Sequence, residues 1–517
     1  MFSLIPQPLS LQAGDGAPFA LAGAVIRGGA TEPEQRLARR AAQTLTRAAG
    51  VAVSTGSTSV SAGSTSVSAG STSVSAGSTS VSAGSTSVSA GSTIELRLDP
   101  ALATDRPTSD DRYVVEVTAD GIVARAAAVP GLHLAVATIA QLVRPASGET
   151  PAHVPAVVVE DEPRYAWRGL SVDIARNFFG PESLQRVLDL ASSYKLNRLH
   201  LHLTDDQGWR IDTPSRPLLT DISSKTAMNG NPGGFLTLDE YEELQVYAED
   251  RGIVIVPEID VPGHVNAATH AYGELMPDGR ATDAYEGMEV GFSKLSIDLP
   301  ATEPFLRDVF GDLAAATHGD YLHIGGDEVK QMQDGEFGRF VDLLERVVLD
   351  TGKKVAAWHE AAHAQVRPET LVQFWDTNHV QLEPLQRAAA NGTRFIMSPG
   401  NHVYLDMKYT ADYALGQDWA GLVELSDAYV WNPDEAVEGI SGDSIVGVEA
   451  AVWTETLTTL DELNDMLMPR LPAVAEVAWT PQDAKDWDGF RERLVRHVPG
   501  WERDGVAFHR TPQVTWE

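Results

Sequence analysis

From about residue 165 the chain alternates short apolar runs with helix-length segments, and it does so eight times. The runs are Arg168 to Ile174, Arg198 to Leu203, Ile253 to Ile259, Tyr321 to Gly326, Lys354 to Trp358, Val372 to Trp375, Phe395 to Met397 and Gly447 to Trp453. Between most of them lie stretches such as Pro181 to Tyr194, Leu238 to Asp250 and Glu303 to Thr317. Buried runs of strand length separated by helices make parallel strands with covering helices. Two folds satisfy that pattern, a doubly wound open sheet and a (β/α)8 barrel. The count of eight and the lack of a Gly-rich phosphate loop favour the barrel. The expectation is an α/β chain with a catalytic (β/α)8 TIM barrel over residues 161–517.

Residues 1–160 have another texture. Short β-like runs (24–27, 94–98, 113–117) stand beside helix-like runs (34–48, 131–142), which suggests a small α+β sandwich domain ahead of the barrel. An exact repeat interrupts it. The heptad GSTSVSA occurs five times from Gly56 to Ala90, followed by Gly91-Ser92-Thr93. Gly, Ser and Thr are poor helix formers, so a flexible insertion over 56–93 with no catalytic role is expected rather than a coiled coil.

Charge narrows the partners. The chain carries 72 acidic against 39 basic residues, a net charge of −33, which disfavours nucleic acid and anionic lipid. There is no cysteine, so disulfides and thiolate chemistry are excluded. The opening MFSLIPQPLS has neither a basic nor an apolar leader region, and no apolar run reaches about 18 residues. A soluble, cytoplasmic protein without membrane contact is expected, unless a leader has been trimmed. A homodimer is left open.

Catalysis on a barrel of this kind sits at the C-terminal ends of the strands. Those ends carry Asp173 and Arg176; His202, Asp205 and Asp206; Glu258, Asp260 and His264; His323, Asp327 and Glu328; Trp358, His359 and Glu360; Trp375 and Asp376; Tyr404 and Asp406; and Trp453 and Glu455. Every end offers a carboxylate or an aromatic. Carboxylates protonate a leaving oxygen and stabilise an oxocarbenium-like transition state, and indoles pack on sugar faces. A neutral sugar requires no metal and no cofactor.

The run His323-Ile324-Gly325-Gly326-Asp327-Glu328 resembles the H-x-G-G-D-E signature of glycoside hydrolase family 20, the β-N-acetylhexosaminidases. Residues 168–176, 200–210 and 257–264 resemble the family's first three strands, and Trp358-His359-Glu360, Tyr404-Leu405-Asp406 and Trp453-Thr454-Glu455 follow in its order. The resemblance spans roughly residues 150–480, and the first unit resembles the family's small α+β domain. One departure is Asn177, where many relatives carry His.

The resemblance implies a retaining, exo-acting enzyme that removes terminal β-linked GlcNAc or GalNAc from glycans or chitooligosaccharides. Its mechanism is substrate-assisted, through an oxazolinium intermediate. Glu328 would be the general acid and then base, with a raised pKa, and Asp327 would hold the acetamido N–H. Tyr404 would aim the acetamido oxygen. Trp358, Trp375, Trp431 and Trp453 would box in the sugar, while Arg176, Asp406 and Glu455 would grip its hydroxyls. His264 and Asp205 would tune Glu328 from behind. The residues alone do not separate Asp205 from Asp206; the family pattern favours Asp205.

Two rivals stand beside this reading. His200 and His202 form an H-x-H on one side of a strand, as a metal-dependent barrel hydrolase would need. A non-catalytic sugar-binding barrel is the other, although such binders usually lose the acid that Glu328 retains.

Overall fold

A computed structural model describes residues 2–56, 92–330 and 332–516. The heptads at 57–91 lie outside the described residues. Around them, residues 10–161 build a seven-stranded mixed sheet in the order 10–13, 157–161, 113–117, 121–126, 93–98, 25–27, 54–55. Two helices, Glu32–Ala49 and Val129–Leu142, pack on one another and on this sheet. The first is fixed at its start by Thr31, whose side chain caps the helix reciprocally with Glu34. Its buried face is Leu37, Ala38, Ala41, Ala42 and Leu45, spaced as one apolar stripe.

Eight parallel strands then close into a barrel. They are β1 (Trp167–Asp173), β2 (Arg198–His202), β3 (Val254–Glu258), β4 (Tyr321–His323), β5 (Lys354–Trp358), β6 (Leu371–Phe374), β7 (Arg394–Met397) and β8 (Ile445–Val452). Closure comes where β1 lies beside β8, with Trp167 opposite Gly447. A side chain at 447 would strike the Trp167 carbonyl, so glycine lets the two strands meet. All eight runs expected from the sequence are strands, with ends shifted by at most three residues.

The bore is apolar at one level and charged at the next. Trp167, Val256, Ala356, Leu371 and Ile396 fill the first level. Toward the strand C-termini, Glu258 and Glu449 stand among His200, His202, His323, Gln373 and Trp358. His200 lies 2.9 Å from Glu449 and 3.0 Å from Glu258; His202 lies 2.7 Å from Glu258. Trp167 and Gln373 donate to Glu449, and Trp358 donates to Glu258 at 2.8 Å. Charges so deeply buried persist only when paired and hydrogen-bonded, as these are.

Trp479 helps to join the two units. Trp479 ends the helix Arg470–Trp479 that follows the barrel, yet it is buried among core residues of the N-terminal sheet and helices. Its indole donates to Asp161 at 2.9 Å. Asp161 also accepts from Tyr113 at 2.7 Å and pairs with the buried Lys195 at 3.0 Å. A Trp buried this fully contributes about 3–5 kcal/mol against truncation to Ala.

Candidate active site

The segment after β4 is bent by backbone rather than by side chains. Gly325, Gly326 and Glu328 all have positive φ, at 66°, 102° and 51°. Gly325 is required, because a Cβ there would overlap the Asp260 carboxyl. Asp260 Oδ1 accepts from the Gly326 N–H at 2.9 Å and so pins the turn. The left-handed conformation of Glu328 is uncommon for a residue of its type and marks a conformation held by its surroundings.

Asp327 and Glu328 share one neighbour. His264, also at positive φ, places Nε2 3.8 Å from Asp327 Oδ2 and 3.6 Å from Glu328 Oε2. Its other nitrogen lies 3.2 Å from Asp205 Oδ1. Asp205 Oδ2 meets His202 at 2.9 Å and Arg176 at 2.7 Å. Burial alone would raise Asp205, but Arg176 and His264 hold it well below the usual carboxylate range. Burial opposes charge on His264 too, yet Asp205, Asp327 and Asp260 hold its pKa well above that of a free imidazole. Asp206 turns away: it accepts from the Asn266 N–H and the Ser293 hydroxyl.

Asp260 behaves unlike its neighbours. Burial, and then the charge of Asp327, push it well above the usual range, and it is hydrogen-bonded to Asp327. Both effects favour its acid form beside Asp327. Glu328 goes the other way. Burial favours its acid form, but the hydrogen bond and charge of His264 outweigh that and lower its pKa. The raised value expected for Glu328 does not hold in this site: an imidazolium stands beside it.

Indoles and a phenol form the opposite wall. Trp358, Trp375 and Tyr404 are buried together, with Trp453 packed against them. Tyr404 stacks on Trp375 with 6.2 Å between centroids and 13° between planes. Trp453 lies 6.0 Å from both Trp358 and Tyr404, and the Arg176 guanidinium sits 4.9 Å above it. Glu360 accepts from the Trp375 indole at 3.1 Å. Asp406 is buried and, through burial and then Glu455, is pushed well above the usual carboxylate range. Glu455 is raised by burial against the pull of Arg176.

One expected residue is elsewhere. Trp431 stacks on His402 at 5.3 Å and donates to the Ala428 carbonyl, in the helical layer outside this wall. Trp419 occupies the expected place. It stands edge-on to Trp375 at 5.7 Å and to Tyr404 at 5.6 Å, and remains 40% exposed. Both indoles lie in the long segment between β7 and β8, and spacing does not tell which one turns inward. Glu258, Asp260 and Glu360 were likewise not singled out for a role; Asp260 and Glu360 each follow a barrel strand, and Glu258 ends one, the only signal available.

His200 and His202 face carboxylates on both ring nitrogens. Several His and carboxylate groups here approach closely enough to chelate an ion, among them His200, Glu258 and His323. His200 Nε2 and His323 Nδ1 each lie 3.0 Å from Glu258, so the H-x-H has carboxylate partners inside the bore, although His200 Nε2 and His323 Nε2 make no hydrogen bond among the described residues.

A wall of indoles facing paired carboxylates, at the open end of a parallel barrel, defines a glycoside hydrolase. The family model for the glycosyl hydrolase family 20 catalytic domain matches residues 165–482, and the model for domain 2 of that family matches residues 1–162. The chain belongs to glycosyl hydrolase family 20 and is a β-N-acetylhexosaminidase-type enzyme. A beta-N-acetylhexosaminidase of Cellulomonas fimi is 47% identical over 515 residues, which is 99% of this chain and 97% of that relative. The solved family 20 beta-N-acetylhexosaminidase of Streptomyces coelicolor superposes with a TM-score of 0.87 at 36% identity, covering 100% of this chain and 99% of that one. That of Streptomyces plicatus, solved in complex with Thio-NAglucal, gives 0.87 at 38% identity, covering 100% and 98%.

Proposed function

We propose that this site removes terminal, non-reducing β-linked N-acetylhexosamine residues with retention, using the 2-acetamido oxygen of the substrate as nucleophile. The carrying observation is the single imidazole of His264 set between two adjacent carboxylates, with the Tyr404–Trp375 stack on the far wall. Adjacent carboxylates cannot stand on opposite faces of one sugar ring as acid and nucleophile, so the nucleophile is left to the substrate.

Glu328 donates its proton to the glycosidic oxygen and then takes one from water. Its side chain is 23% exposed, and a bound aglycone covering that edge adds to the burial that favours the acid. Asp327, partnered by the neutral Asp260, accepts the acetamido N–H and offsets charge on the ring. The Tyr404 hydroxyl, kept protonated by burial and by Asp327, donates to the acetamido oxygen. Trp358, Trp375 and Trp453 hold the acetamido group and ring, while Arg176, Asp406 and Glu455 take the outer hydroxyls. Glycans capped by N-acetylhexosamine and chitooligosaccharides are the substrates that suit it. Solved complexes of the Streptomyces plicatus relative with Thio-NAglucal, and of its mutant with GlcNAc product, support the sugar class.

The test is inhibition by the thiazoline analogue of N-acetylglucosamine, which copies the cyclised intermediate. Substrate assistance predicts binding at least about a hundredfold tighter than free N-acetylglucosamine. Equal binding of the two refutes it.

A further inference from the structure

Between the N-terminal helices, the helix Pro181–Ser193 and the C-terminal helix Val498–Asp504 lies a cleft of about 960 Å³. It shares no residue with the hydrolytic site. In a chain with 72 acidic and 39 basic residues, this cleft reverses the balance: seven arginines line it against three aspartates, with no lysine or glutamate.

All three aspartates are engaged. Asp189 is divided among Arg40, Arg47 and Arg251 at 2.8, 3.3 and 2.6 Å. Asp504 pairs with Arg47 and Arg503, and Asp250 with Arg36, which lies outside the lining. Arg186 is exposed and makes no ion pair among the described residues. Arg144 is half-buried and, among the described residues, its side chain reaches only backbone carbonyls, at 3.4–3.5 Å. Burial, and then the charge of Arg496, lower its pKa. His133, in the same lining, is pushed down to about 4 by burial and by Arg40 and Arg36. Like charges gathered in a cleft cost free energy unless an anion offsets them, and guanidinium forks match phosphate and sulfate oxygens in pairs. The remaining wall is apolar, with Leu37, Val136, Ala137, Ala140 and Leu190. The volume suits a small organic molecule.

We propose that this interdomain cleft is a binding site for a multiply charged oxyanion, free or carried on a sugar-sized body, with Arg144 and Arg186 as its principal contacts. The site is separate from hydrolysis, so its failure leaves the hydrolase assignment untouched.

The full chain is titrated calorimetrically with inorganic pyrophosphate and with glucose 6-phosphate at fixed ionic strength, N-acetylglucosamine being the neutral control. One-to-one saturable binding of at least one anion is expected. The double variant Arg144→Gln/Arg186→Gln should weaken it at least about tenfold, and Arg144→Lys/Arg186→Lys should weaken it less, since charge remains while the fork is lost. Tighter binding of glucose 6-phosphate points to a sugar-borne anion, and tighter binding of pyrophosphate to a free one. Hydrolysis of an aryl N-acetylglucosaminide should be the same in both variants as in the parent, which certifies the fold. No saturable binding of either anion up to about 10 mM, or equal affinity in the Gln double variant, overturns the site.

Discussion

Asp260 and Asp327 are buried as hydrogen-bonded neighbours, and burial together with the charge of Asp327 favours the acid form of Asp260. With the acid form favoured on Asp260, Asp327 is left as the acceptor of the pair.

If Asp260 works as a neutral donor, an amide replaces it with little loss. Asp260→Asn keeps both an acceptor for the Gly326 N–H and a donor for Asp327, and should retain activity within about tenfold. Asp260→Ala removes both and should lose about a hundredfold or more in kcat/KM. Steady-state kinetics on an aryl N-acetylglucosaminide decide it. An Asn variant as weak as the Ala variant would mean that a charge, not a proton, is needed at 260.

Glu328→Gln removes the proton that the leaving group needs. Hydrolysis of chitobiose, whose departing sugar is a poor leaving group, should lose about 10³–10⁴-fold in kcat, and that of a dinitrophenyl glycoside far less. Comparable losses on both would remove Glu328 from the acid role.

The pH profile of kcat/KM should carry His264 in its alkaline limb. That limb follows loss of the Glu328 proton, and the His264 cation lowers the Glu328 pKa. His264→Gln deletes the cation and leaves burial, which acts in the raising direction. The limb should therefore move to higher pH while the maximal rate falls. An unmoved limb would separate His264 from the titration of Glu328.

The two indoles of the segment between β7 and β8 predict opposite phenotypes. Trp419→Ala should raise KM for chitooligosaccharides by about ten- to a hundredfold with little change in melting temperature, since the ring is already 40% exposed. Trp431→Ala should leave KM unchanged and cost about 3–5 kcal/mol of stability, because that ring is buried against His402. Chemical denaturation and kinetics on both variants suffice.

The barrel was legible because its signal is redundant. Each strand is a short apolar run, and eight of them recur with helices between, so one misread boundary changes nothing. β4 illustrates this: the run extends to Gly326, but the ladder stops at His323, because the glycines that follow leave the β region. The site was legible where function demands a residue type at a strand end, as at Asp327, Glu328 and Tyr404. It was not legible where the outcome depends on what faces what. The proton on Asp260 and the lowered pKa of Glu328 arise from groups brought in from other strands. Trp419 and Trp431 differ only in the direction their segment turns, and neither propensity nor periodicity encodes that.

Trp479 carries a consequence for the order in which the chain is made. The N-terminal sheet and helices leave the ribosome before the barrel, but one large side chain of their core, the partner of Asp161, is translated more than 300 residues later. Until then that unit exposes an apolar socket beside the buried Lys195 and Asp161. Its final packing waits until Trp479 has been made, so a unit that emerges before the barrel is completed after it, and a nascent chain stopped before residue 479 would present that socket to chaperones.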